Sequence, residues 1–275
     1  MRLKMGLSGI VFSILVLVSI LLPMAWMLIT SFKTSFSIVS SPWAFPIHPQ
    51  WINYVHAWKQ GGIGHAFLNT VIITIATMAI LLPIGAMAAY VIAKYPFRGS
   101  QVIFGTFLCG MMFPFFLVMV PLFFFMNQIH LYDTKTGLIL VYIAYSLSFT
   151  VFVLTGFFQI LPHELMEASM LDGCSDHRTF WKVMLPLARP GILVVGVFNV
   201  IGLWNEYALA LVLMPSTVNR TLPLAIANLS STQQYDSDWG ALFAGLIIVI
   251  VPILVAYWLL RDRIHETMLA GAVKG

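Results

Sequence analysis

Apolar residues in this chain come in long unbroken blocks. Runs free of charge cover Met5 to Phe32, Gln60 to Ala93, Gly99 to Tyr132, Thr136 to His163 and Trp239 to Leu260. Each is longer than the roughly 20 residues that a helix needs to cross a bilayer. A further block, Gly191 to Met214, holds one charge, Glu206. The pattern predicts an all-α integral membrane protein with six transmembrane helices, at about 7–30, 66–93, 101–127, 137–159, 190–213 and 239–260. It shows no boundary for a second domain, so residues 1–275 read as a single membrane domain. Pro114 and Pro121 predict kinks in the third helix, because each removes a backbone donor. Gly85, Ala86, Ala88 and Ala89 make the second a helix that neighbours can approach closely.

Between the fourth and fifth blocks lies a long polar interval, Leu161 to Pro190. Pro162 suits the first turn of a helix, Glu164 and Glu167 suit its N-terminal dipole, and Asp172-Gly173 is a natural stop. A second short helix starts near Ser175 or Asp176. In it Phe180, Val183 and Met184 share one face and Arg178 and Lys182 another, and Leu185-Pro186 closes it. Neither helix is long enough to span a bilayer. A helix, glycine turn and helix held over 161–189 between two membrane segments is a lever that can push on, or be pushed by, a soluble partner.

Composition agrees: 60% of the 275 residues are hydrophobic and only 9% charged, against about one quarter charged in soluble domains. With six spans, ten of the 14 basic residues fall on one side: Arg2, Lys4, Lys94, Arg98, Arg178, Lys182, Arg189, Arg261, Arg263 and Lys274. The positive-inside rule makes that side cytoplasmic, and with it the lever and both termini. The net charge of +4 is thus a matter of topology and forms no patch for nucleic acid. Arg2 and Lys4 ahead of an apolar run look like a secretory signal, but the run is too long and no small-x-small cleavage site follows. Outside, Trp51, Tyr54 and Trp58 predict an interfacial helix, Gly61 to Gly64 a hinge, and Pro215 to Asp238 a polar loop.

The chemistry of most enzymes is missing. There is no GxxxxGK[ST] phosphate loop, HExxH, GxSxG or clustered Cys/His, the seven histidines are scattered, and Cys109 and Cys174 read as unpaired. No catalytic residue and no metal ligand is assigned. At membrane depth Asn69 opens the second span, and Asn199, Trp204, Asn205, Glu206 and Tyr207 sit in the fifth. A carboxylate facing lipid costs several kcal/mol, so Glu206 is expected to face protein or water. Two roles stay open for it. It could bond to Asn or Ser on a neighbouring helix, or bind hydroxyls in a water-filled path beside Trp204 and Tyr207, whose rings could stack on a sugar.

The lever carries a longer pattern. It reads Glu167-Ala168-Ser169, three residues, Gly173, nine residues, then Val183-x-Leu185-Pro186. In this it resembles the coupling loop of binding-protein-dependent ABC importer permeases, EAA-x3-G-x9-I-x-L-P. It departs in Ser169 for alanine, Val183 for isoleucine and Cys174 where alanine is common. Asn69-Thr70, the Tyr95 to Arg98 turn, Tyr132-Asp133-Thr134, Leu171-Asp172-Gly173, Trp204-Asn205-Glu206 and the terminal Gly271 to Gly275 look like the carbohydrate branch of that family, typified by the smaller permease of the maltose transporter.

The resemblance implies a type I ABC importer permease fold, with the lever as a cytoplasmic helix-turn-helix coupling loop. It implies a non-catalytic sugar or oligosaccharide permease of a bacterial or archaeal cytoplasmic membrane that binds no cofactor, ATP and Mg being used by a partner. The partners implied are a cytoplasmic ABC ATPase dimer, a second homologous permease and an extracytoplasmic sugar-binding protein. On the lever, Glu167 would contact the ATPase, Ala168, Ser169 and Asp172 would share that docking element, Gly173 would allow its turn, and Leu185-Pro186 would fix its exit. Gly271, Lys274 and Gly275 would lie near the ATPases. A non-sugar ABC permease and a stand-alone secondary carrier remain alternatives.

Overall fold

The computed structural model describes residues 7–232 and 238–272. Among them the chain is helical throughout, with no strand. In chain order the α-helices are α1 Leu7–Thr30, α2 Ser35–Ser40, α3 Ile52–Val55, α4 Ile63–Lys94, α5 Ser100–Met112, α6 Met119–Gln128, α7 Lys135–Ile160, α8 Glu164–Leu171, α9 Asp176–Thr179, α10 Leu185–Leu187, α11 Arg189–Asn205, α12 Ala208–Leu213, α13 Leu222–Thr232 and α14 Trp239–Ala272. Four stretches are long and apolar enough to cross a membrane: Ser8–Thr30, Ile63–Lys94, Lys135–Ile160 and Trp239–Trp258. A fifth is reached if Asp176–Leu187 and Arg189–Asn205, bent by 74° at their junction, count as one span. This is a multi-pass membrane protein.

The two remaining predicted spans are interrupted. The third breaks at Phe113 and Pro114, whose ψ angles of 123° and 110° are extended. A residue before proline is pushed out of the helical region, so the break falls where Pro114 requires it. Pro121 behaves differently: it sits in the first turn of α6, where an absent N–H is one of the helix's orphans anyway, and makes no kink of its own. The fifth span stops at Asn205, passes through Glu206 at ψ 123° and resumes as α12. Two differences lie outside the spans. The Pro215 to Asp238 loop contains α13, and the sixth helix continues past Leu260 to Ala272.

The chain forms two compact units. One comprises the residues up to His65 with Leu224–Leu254, the other Ala66–Pro223 with the segment from Val255. In the first, α1 ends in a polar knot. Asn53 Nδ2 donates to the carbonyls of Ser31 and Lys33 at 2.8 Å each, and the buried Lys33 amine donates to those of Ser41 and Pro42 at 3.1 and 2.8 Å. The expected interfacial segment is the short α3 and a wide π turn, His56–Gln60, with Trp51 and Tyr54 packed on Phe32. Gly62, at φ +68°, turns the chain into α4.

In the second unit, α4 approaches α7 closely at Gly85 and two apolar clusters lie between helices. One gathers Leu81, Met126, Tyr142, Leu209 and Met214; the other gathers Tyr90, Phe158, Met166, Phe180 and Met184 and so includes the lever. Gly85 sets the α4–α7 distance: a methyl group there would lie 2.4 Å from Thr150 Cγ2. Thr150 cannot turn aside, because its hydroxyl donates to Ser146 O at 2.8 Å and accepts from Asn199 Nδ2 at 3.0 Å. Gly85→Ala is therefore expected to cost about 1–3 kcal/mol, seen as a lower melting temperature of the purified protein in detergent.

Candidate functional site

The lever forms because its sequence supplies a stop. Helix α8 carries Glu164 and Glu167 in its first turn, and Glu167 Oε1 lies 3.3 Å from His163 Nδ1. After it, Cys174 N–H donates to Ser169 O and Gly173 N–H to Met170 O, both at 3.0 Å, the pair of bonds of a Schellman motif. That motif needs a left-handed residue, and Gly173 has φ +78°. A methyl at Gly173 would meet nothing within 4 Å, so the requirement is conformational and not steric.

The Ser175 hydroxyl accepts from Arg178 N–H and starts the second helix. That helix runs to Leu187, one residue beyond the expected stop at Leu185-Pro186. A π turn over Phe180–Met184 brings Leu185 N–H to the Phe180 carbonyl, five residues back, just ahead of Pro186, which has no N–H to place. Leu185 is half-buried and Pro186 exposed.

One face of the lever is anchored. Phe180 and Met184 are 4% and 0% exposed, and Tyr90 lies between Phe158 and Phe180 at ring separations of 5.5 and 5.2 Å. Tyr90 Oη also donates to Met166 Sδ at 3.2 Å. Ser169, the departure from the EAA pattern, is buried and shares a 2.8 Å hydrogen bond with Thr179 Oγ1, so it ties the two lever helices together. The other face is open. Glu164, Glu167, Ala168 and Asp172 are exposed, and Leu171 at the tip is 89% exposed.

The end of α4 also reaches the lever, which sequence reasoning missed. Lys94, itself buried, donates its amine to Leu161 O, and Tyr95 Oη donates to Asp176 Oδ1 at 2.8 Å. Burial first, then hydrogen bonds with Tyr90 and Asp176, push the Tyr95 hydroxyl's pKa well up, so it stays a neutral donor. Read along the chain, Lys94 is one more basic residue at a span end and Tyr95 part of a turn. Nothing local signals partners some 67 and 81 residues away.

The polar residues at membrane depth divide in two. Asn69 Nδ2 donates to Val218 O and Arg220 O at 2.8 and 2.9 Å, and Asn199 is bonded to Thr150, so both serve packing. Trp204 is buried edge-on to Phe67 at 5.6 Å. Glu206 takes up the break in the fifth span. Its carboxylate accepts from Leu209 and Ala210 N–H at 2.6 and 3.1 Å, and from Tyr142 Oη at 2.6 Å. The inter-helix partner expected for it, Asn or Ser, is thus a tyrosine. Asn205, bonded to Ile201 O, and Tyr207, 40% exposed, flank it on the accessible side. Of the tail, Gly271 lies in the last turn of α14, while Lys274 and Gly275 lie outside the described residues.

Known proteins share this chain's pattern. The family described as binding-protein-dependent transport system inner membrane component matches residues 81–261. A diacetylchitobiose uptake system permease protein of Streptomyces coelicolor is 42% identical over 94% of this chain and 85% of its own length. A trehalose transport system permease protein of Mycobacterium tuberculosis is 34% identical over 93% of each chain. Among solved structures, a chain of a bacterial ABC transporter involved in alginate import superposes with a TM-score of 0.75 at 21% identity, covering 94% of this chain and 98% of that one.

Loss of the Ser169–Thr179 bond has a defined cost. Ser169→Ala is expected to destabilise the protein by about 1–3 kcal/mol, because it leaves a buried hydroxyl unpaired. Adding Thr179→Val should recover most of that loss in a thermal melt, since no orphan donor then remains.

Proposed function

Since the chain belongs to the binding-protein-dependent transport system inner membrane component family, we infer that it is the permease subunit of an ABC importer for a sugar or oligosaccharide. It is a membrane component without catalysis of its own. The observation that carries the coupling role is the two-sided lever, packed on Phe158 and Tyr90 through one face and presenting Glu167, Asp172 and Leu171 on the other. An apolar tip ringed by acidic residues fits a groove with an apolar floor and basic rim on a cytoplasmic ATPase. Gly173 holds the turn, Ala168 lies on the docking face, Ser169 braces it from within, and Leu185-Pro186 sets the exit into α11. ATP and Mg are bound by that partner, which works as a dimer.

The distribution of basic residues supports a cytoplasmic lever and cytoplasmic termini. Six crossings follow if Ser100 to Gln128 and Arg189 to Leu213 each span as broken helices. A second, homologous permease completes the path, and an extracytoplasmic sugar-binding protein delivers the solute. The names of the two permease relatives, a chitobiose derivative and trehalose, favour a carbohydrate. Asn205, Glu206 and Tyr207 at the break in the fifth span are the residues of this chain best placed to meet it, with Trp204 behind them. Gly271, Lys274 and Gly275 form a second element near the ATPases.

The test is uptake of labelled sugars into proteoliposomes that hold the permease with its ATPase, second permease and binding protein. Gly173→Leu should insert and assemble normally yet lose coupling, with transport falling roughly tenfold or more, within the range of coupling free energies between sites. Uptake by this chain alone, driven by an ion gradient, would sink the importer reading in favour of a secondary carrier.

A further inference from the structure

Helices α7 and α11 are joined to the lever by the chain itself, and α4 is not. A lever displaced by a partner would drag α7 and α11 directly, whereas α4 follows only through side-chain contacts. The last turn of α4 and the residue after it supply those contacts at separate places. Lys94 Nζ bonds to the Leu161 carbonyl, where α7 ends and the lever begins. Tyr95 Oη bonds to Asp176, in the first turn of the lever's second helix. Tyr90 lies between them, its ring against Phe158 and Phe180 and its hydroxyl on Met166.

One contact would leave the lever free to pivot about it. Two polar contacts on opposite sides of the glycine turn, with an aromatic wedge between, fix its orientation as well as its position. The chemistry suits each place: a cation complements the C-terminal carbonyls of α7, and a neutral phenol donates to a carboxylate. Burying a lysine for the sake of one carbonyl is costly unless the contact is used.

We propose that Tyr90, Lys94 and Tyr95 are positioning residues that bind the end of α4 to the lever as one body, so that motion imposed on the lever reaches the second span. The proposal rests on the permease reading above, and it adds the route by which a span outside the lever's own connections is driven.

The test uses the full reconstituted complex with wild-type permease, Tyr95→Phe, Lys94→Met, and Asp176→Asn, which keeps an acceptor oxygen for Tyr95. Two quantities are read: ATP hydrolysed per sugar taken up, and the separation of spin labels at Phe97→Cys and Lys182→Cys with Cys109 and Cys174 replaced by serine. In the wild type the label separation should stay single and narrow with and without ATP. Tyr95→Phe and Lys94→Met should broaden it and raise ATP per sugar by roughly fivefold or more, the lower range of coupling between linked sites, while Asp176→Asn stays near wild type. Unchanged ratio and separation in both variants would overturn the proposal. So would less assembled complex at an unchanged ratio, the signature of a brace needed only for folding. If the wild-type complex spends no ATP on uptake, the permease reading fails instead, and the label separations alone decide whether α4 and the lever are one body.

Discussion

Hydrocarbon offers a backbone N–H no partner, and leaving one unsatisfied there costs several kcal/mol. The two interrupted apolar segments are arranged in keeping with that constraint. At Phe113 to Val118 the break is lined by residues that need little: Pro114 has no donor, a single tight turn pairs Leu117 and Val118 with the Pro114 and Phe115 carbonyls at 3.0 Å, and Pro121 removes a further donor from the next first turn. At Glu206 the solution is a charged one. The carboxylate accepts the first free N–H groups of α12 and is held by the Tyr142 hydroxyl, so the acid stands in for the missing turn of helix.

The same constraint bears on the residues around the second break. A helix broken at membrane depth is tolerated only where protein or water covers it. The break at Glu206 accordingly leaves Asn205 and Tyr207 on the accessible side while Trp204, Leu203 and Leu209 stay buried. At the lever the balance is reversed. Polar groups lie exposed on one face while Phe180, Met184 and Met166 hold the other on α4 and α7.

Much of this was legible along the chain because hydropathy and turn chemistry are local. Long apolar blocks appear as helices, and Asp172-Gly173 forms the predicted turn for the predicted reason, a left-handed residue after α8. Ser175 starts the second lever helix, and Gly85 lies at a close helix contact. The misses come from competition between local signals. Pro114 predicts a kink, but Phe113 ahead of it is forced extended and the helix ends. Leu185-Pro186 predicts a stop, but a π turn carries the helix past it.

The amino-acid sequence by itself determined that this chain lives in a membrane and where the lever turns, because burial in lipid and positive φ each act through one residue or one short run. Only the tertiary structure decided who holds whom. Ser169 with Thr179, Lys94 with Leu161, Tyr95 with Asp176 and Tyr142 with Glu206 join residues that are separated in sequence by up to 81 positions. Such pairs leave no periodic trace, since a hydrogen bond between distant side chains depends on how helices approach and not on the pattern within either one.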